Sequence, residues 1–213
     1  MSRYALGLDF GTNSCRSVIV DLSNGAEVAT HVFSYPTGEA GILLDRKDPN
    51  CARQNPKDYH DGLVVIVQQA LKKAKKADRK FAPESIIGIG VDTTGSTPMP
   101  VDKNGVPLAF QPAFKKNLNA MAWLWKDHTG HAEAAEITDL AKKIRPQYLA
   151  KCGGTYSSEW FWSKILHGKR TAPDVFAAAH SFVEHCDYMP ALLAGDTRPE
   201  KIVRGVCSAG HKA

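Results

Sequence analysis

The first stretch able to do chemistry is Asp9-Phe10-Gly11-Thr12-Asn13-Ser14. An acidic residue closes an apolar run, and a small, hydroxyl-rich turn follows it. Backbone N–H groups of such a turn, with the Thr12 and Ser14 hydroxyls, can face a phosphate. Asp9 can hold magnesium through water, because magnesium keeps most of its own hydration shell. The same residues would also make an ordinary hairpin turn, so the motif alone leaves both readings open. Asp9-Phe10-Gly11 also spells a protein-kinase tripeptide, but no glycine-rich loop and no His-Arg-Asp run precede it. No Walker A run occurs in the sequence.

The elements that must position this turn are legible around it. Two apolar runs flank it, and Asn24-Gly25 is a strong hairpin signal, so three consecutive strands joined by hairpins are expected. Residues 36–54 are rich in Gly, Pro, Asp and Asn and read as loop. Pro56 suits the first position of a helix. Leu63, Ile66, Val67, Ala70 and Leu71 recur as its buried face, and the helix should end near Ala77. The β-branched run Ile86–Asp92 reads as a buried strand between helices. Gly95 then falls in a tight turn, where backbone can approach a ligand closely. A hairpin signal follows at Asn104-Gly105. Further helices are expected over 129–144 and in the Ser157–Leu166 stretch, the latter capped by Ser157 or Ser158. A strand near 181–185 and a helix near 189–194 complete the order. Meandering strands followed by alternating helices and strands predict a mixed α/β sheet.

Composition narrows the class. The 213 residues, 43% hydrophobic and 23% charged, can bury a sizeable core. The longest apolar run, 63–71, is interrupted by Gln68 and Gln69 and is too short to span a membrane. The first residues lack the basic-then-apolar design of a signal peptide, which predicts a cytoplasmic protein. Five scattered cysteines with no Cys-x-x-Cys spacing read as reduced thiols. The net charge of +5 is concentrated partly in Lys72–Lys80, a solvated helix end without interleaved aromatics, which argues against nucleic acid as a partner. His128 and His131 lack a third partner at metal spacing.

Read together, five stretches resemble the FGGY family of carbohydrate kinases, and its ribulokinase branch in particular. They are Gly7–Asp21, Gly88–Asp102, Leu124–Thr129, Gly153–His167 and Glu184–Ala213. The resemblance implies a ribonuclease H-like fold of the actin, hexokinase and sugar-kinase superfamily, a mixed sheet flanked by helices. It implies an enzyme that phosphorylates L-ribulose with ATP and magnesium, a step of L-arabinose catabolism. It puts Asp9, Gly11, Thr12, Asn13 and Ser14 on the nucleotide phosphates and their metal. Gly95, Trp125, Lys126, Asp127, His211 and Lys212 are put on the sugar. Physical sense supports the second set. A ketopentose needs charged donors and acceptors held rigidly, and Trp125 can wall a sugar face. The plainer alternatives are a surface ion pair for Lys126-Asp127, and core or interface packing for Trp123, Trp125, Trp160 and Trp162. Lys212 has no apolar periodicity around it.

Phosphoryl transfer to an alcohol also needs an acceptor for the hydroxyl proton. Family members take that base, and most of the nucleotide pocket, from a second domain. Residues 1–213 are therefore expected to be the N-terminal, sugar-binding lobe only, with no catalytic base. Asp92 is the best carboxylate for an auxiliary role. The sequence leaves open a kinase for D-ribulose or xylulose, a non-catalytic sugar-binding module of the same fold, and homo-oligomer formation.

Overall fold

The computed structural model describes residues 3–210 and 212. In chain order the elements are β1 (Tyr4–Phe10), β2 (Ser14–Asp21), β3 (Ala26–Ser34), β4 (Leu43–Asp45), β5 (Asp48–Gln54), α1 (Pro56–Ala77), β6 (Ile86–Thr93), β7 (Pro98–Val101) and β8 (Ala122–Trp123). There follow α2 (His131–Ile144), α3 (Pro146–Lys151), α4 (Phe161–Thr171), α5 (Pro173–Ala178), β9 (Ser181–Glu184), α6 (His185–Ala194) and α7 (Val206–Gly210). They form two compact units: the residues up to 41 with 57–93, and 42–56 with the residues from 94 onward.

In the first unit the sheet order is β3-β2-β1-β6, antiparallel except for the parallel β1–β6 pair. The expected three-strand meander is present. Alternation along β1 buries Tyr4, Leu6, Leu8 and Phe10 on one face. Helix α1 packs on that face, where the Ser17 hydroxyl donates to the Ile66 carbonyl at 2.8 Å. The buried ridge of α1 is Gly62, Ile66, Ala70 and Ala74, spaced by four. Leu63, Val67 and Leu71 flank it half-buried, so the expected face is rotated by about one position. The cause is close approach: a Cβ on Gly62 would lie 2.5 Å from Cys15 Sγ. Full burial of Ile66 contributes about 1.5–3 kcal/mol.

The strand at 86–93 is correct in type but not in burial. β6 is an edge strand among the described residues, and Ile87 and Ile89 are 58% and 55% exposed. Its β-branched run imitates a strand covered on both faces, whereas here it pairs on one side only, with β1. The sheet face away from α1 is open. Gly7, Asp9, Arg16, Val18, Val32, Gly90 and Asp92 line a concavity of about 530 Å³ there.

The second unit contains the sheets β4-β5-β8 and β7-β9, both antiparallel. Residues 43–54 therefore form a hairpin where a loop was expected. Its polar composition conceals it: Asp45 and Asp48 accept the Lys47 and Asn50 N–H groups to make the turn, while Arg53 and Gln54 are buried. The turn at Asn104-Gly105 forms as expected. Gly105 has φ +76°, and a Cβ there would lie 1.7 Å from the Thr197 carbonyl oxygen. Neither Ser157 nor Ser158 caps α4. Its N-cap is Trp160, without a side-chain bond. Ser157 Oγ accepts from Glu159 N–H, and Ser158 Oγ bonds His128 Nδ1 at 2.9 Å. Helix α6 starts at His185, four residues before the expected Met189. Cys15, Cys51, Cys152 and Cys186 are free thiols.

Candidate functional site

The β1–β2 turn is tight and ordered by its own backbone. Gly11 N–H donates to the Ser14 carbonyl at 2.9 Å, and the Asn13 carbonyl accepts from Tyr35 N–H at 3.0 Å. The Asn13 amide donates to the Ala40 carbonyl at 2.7 Å. Gly11 is confined, since a Cβ would meet Arg16 Nη2 at 3.2 Å and the Ser14 carbonyl oxygen at 3.3 Å. Thr12 and Ser14 are half-buried and Asn13 is exposed. Asp9 is 38% exposed at its side chain and pairs with Arg16 Nε at 2.9 Å. The parallel register sets Asp9 opposite Asp92, and both line the open concavity. Sequence order gave no hint of that pairing, which puts two carboxylates beside one hydroxyl-rich turn.

These two carboxylates fit magnesium, which is satisfied by one or two carboxylates plus water and phosphate. Asp9 and Asp92 would hold it. Among the described residues no group of three or more His, Cys, Asp or Glu side chains forms a denser metal centre.

In the second unit, Gly95 lies half-buried in the turn after β6, and Trp125 is 40% exposed just beyond β8. Lys126 is half-buried beside it. Asp127 does not join them at the surface. It is fully buried, and its carboxylate accepts from Ala52 N–H at 2.7 Å and from the Thr129 hydroxyl at 2.6 Å. It also pairs with the buried Arg53, whose guanidinium stacks 3.5 Å over the Trp123 ring. Asp127 therefore supports the segment from within the fold and is not half of a surface ion pair with Lys126. The reason is that its acceptor capacity is consumed inside the fold. Trp123 is buried core, whereas Trp162 is half-exposed on α4.

Lys212 is partly buried. Its ammonium donates to the Ser208 carbonyl at 3.0 Å and lies 5.0 Å from the Phe161 ring centroid, so one aromatic ring lies beside it. Its segment is anchored through Asp187, which accepts from Gly205 N–H at 2.8 Å and from the Ser208 hydroxyl at 2.9 Å. His211 lies outside the described residues.

Sequence reasoning missed the polar groups under this surface. Lys164, 1% exposed, donates to the carbonyls of Ser96 at 2.7 Å, Leu124 at 2.8 Å and Trp123 at 3.4 Å. Burial pushes its ammonium down to about 7, against the attraction of Glu184. Glu184, also buried, accepts Thr97 N–H at 2.8 Å. Burial pushes its carboxyl up to about 7, opposed by Lys212 and Lys164. His185 is held neutral by burial, down to about 3. No spacing rule marks a buried lysine in an amphipathic helix.

Residues 4–203 match the FGGY family of carbohydrate kinases, N-terminal domain. The chain is 42% identical over 212 residues to a ribulokinase of Vibrio parahaemolyticus, covering 99% of this chain and 36% of that protein. It is 41% identical over 217 residues to a ribulokinase of Shouchella clausii, covering 100% and 37%. It thus spans little more than a third of the length of these curated relatives. Among solved structures, a xylulose kinase from Bifidobacterium adolescentis superposes with TM-score 0.67 at 16% identity, over 99% of this chain and 39% of that one. The chain therefore shares its mixed α/β fold with that kinase, and no described helix is long and apolar enough to cross a membrane. The chain belongs to the FGGY family of carbohydrate kinases, of which it carries the N-terminal domain.

Proposed function

We propose that the chain is the sugar-binding lobe of a cytoplasmic, ATP- and magnesium-dependent kinase that converts L-ribulose to L-ribulose 5-phosphate, with a second lobe following residue 213 in a longer polypeptide. The observation that carries this reading is the whole-chain likeness to two proteins named ribulokinase, at 42% and 41% identity.

In this reading Gly11, Thr12, Asn13 and Ser14 line the phosphates of ATP. Asp9 and Asp92 would hold magnesium through its water, and the ion would supply charge neutralisation at the phosphates. Arg16 fixes the direction of the Asp9 carboxylate. On the sugar side Gly95 offers close backbone approach, Trp125 an apolar wall, and Lys126 and Lys212 ammonium donors to hydroxyls, with His211 next to Lys212 in sequence. Asp127 acts from beneath by holding its segment. The base that receives the hydroxyl proton belongs to the second lobe.

The test is ADP release by the longer polypeptide with L-ribulose, D-ribulose and D-xylulose. L-Ribulose should have the highest kcat/KM, by about tenfold or more, as expected when a site is built to hydrogen-bond particular hydroxyls. Turnover of D-xylulose or D-ribulose in preference would reassign the substrate. Turnover of none would favour a non-catalytic sugar-binding module.

A further inference from the structure

We infer that Lys164 is a positioning residue for the sugar side: its ammonium ties the Thr94–Thr97 turn to the Trp123–Lys126 segment, so that Gly95, Trp125 and Lys126 are presented as one rigid wall. This deepens the proposed function and rests on it for the identity of the ligand.

The geometry is specific. The carbonyls of Ser96, Trp123 and Leu124 converge on one ammonium from two segments far apart in sequence. Three donors meet three carbonyls, which is the full capacity of a lysine. An alkyl side chain of the same length would fill the space without the desolvation cost of a buried cation. What the nitrogen adds is the convergence of the two segments.

The turn it grips is strained. Ser96 has φ +52°, a left-handed conformation that a residue with a side chain rarely adopts. Such strain persists only where surrounding contacts over-determine it, and it gathers at functional sites. Here three contacts do so. The Ser96 hydroxyl donates to the Glu159 carbonyl, the Ser96 carbonyl accepts from Lys164, and Thr97 N–H donates to Glu184. The second segment closes on itself, with Asp127 N–H donating to the same Leu124 carbonyl that Lys164 engages. Glu184 on β9 and Glu159 before α4 favour the charge on Lys164, and Arg53 on β5 opposes it. No part of Lys164 needs to touch a sugar, because it is buried behind the two segments.

The experiment combines Lys164→Met in the longer polypeptide with amide hydrogen exchange. The KM for L-ribulose should rise about tenfold to a hundredfold while the KM for ATP stays within about twofold, as for lost positioning confined to one substrate. The Thr97 and Asp127 amides should both exchange faster, and those of β1–β3 should not. Should Lys164→Met fail to fold, Lys164→Arg keeps the cation with a bulkier head, and the same selective rise should appear at smaller size. An unchanged sugar KM, or exchange that rises evenly over the chain, overturns the proposal and leaves the kinase reading intact. If the unsubstituted protein turns over no pentulose, the kinase reading fails. The exchange of Thr97 and Asp127 then still decides whether Lys164 tethers the two segments.

Discussion

Asp9 and Asp127 are both carboxylates in stretches that carry the family likeness, yet the fold uses them oppositely. Asp9 lies next to last in β1 on an open sheet face, with one exposed arginine as partner and Asp92 alongside. Asp127 is sealed, with its oxygens committed to Ala52, Thr129 and Arg53. A carboxylate with free acceptor capacity can meet a metal or a ligand, whereas one whose capacity is spent can only hold other groups in place. Proximity to a motif in sequence does not separate the two cases; burial and partners do.

The largest expected effect is on the sealed side. Asp127→Ala strands the Arg53 guanidinium and the Ala52 N–H, and should cost about 3–5 kcal/mol of stability, as for breaking a buried pair. Urea unfolding of the chain measures it, and a loss below about 1 kcal/mol, typical of an exposed pair, would erase the contrast with Asp9. Next in size is Lys212→Ala in the longer polypeptide. Loss of a charge-assisted bond worth about 1.5–3 kcal/mol should raise the sugar KM roughly tenfold to a hundredfold. The KM for ATP should hardly move; the reverse pattern would assign Lys212 to the nucleotide.

A pH titration sharpens the buried side further. His185 has a folded-state pKa depressed to about 3. Its contribution is therefore fully present above its ordinary value of about 6.5 and is lost as pH falls toward about 3. Between pH 7 and 5 the unsubstituted chain should lose about 2 kcal/mol more than His185→Gln does. Parallel stability curves for the two would show that His185 is not held neutral. The smallest effect belongs to the open rim, where Arg16→Ala should change stability by less than about 1 kcal/mol. A larger loss in thermal melting would mean that the Asp9 ion pair is structural after all.

Much of the scaffold was legible because it follows periodicity and turn chemistry. The three-strand meander, the helix from Pro56 to Ala77 and the Asn104-Gly105 turn all follow local rules. The hairpin at 43–54 was hidden because its polar residues look like loop until Arg53 and Gln54 find buried partners. β6 misled in the opposite direction, since β-branched composition reports strand preference and not how many sides are covered. In the candidate site, Asp9 and its turn were visible from residue type and order. The Asp9–Asp92 register, the inward turn of Asp127 and the convergence on Lys164 were not, because each depends on contacts between segments distant in sequence.

The most direct measurement is Asp9→Asn in the longer polypeptide, read for turnover and for thermal stability in the same preparation. Turnover at saturating L-ribulose, ATP and magnesium should fall about a hundredfold or more, as when a preorganised electrostatic group is removed. The sugar KM and the melting temperature should stay close to those of the unsubstituted protein. Normal turnover would make the β1–β2 turn a plain hairpin, and a collapse in stability like that expected of Asp127→Ala would make Asp9 part of the scaffold.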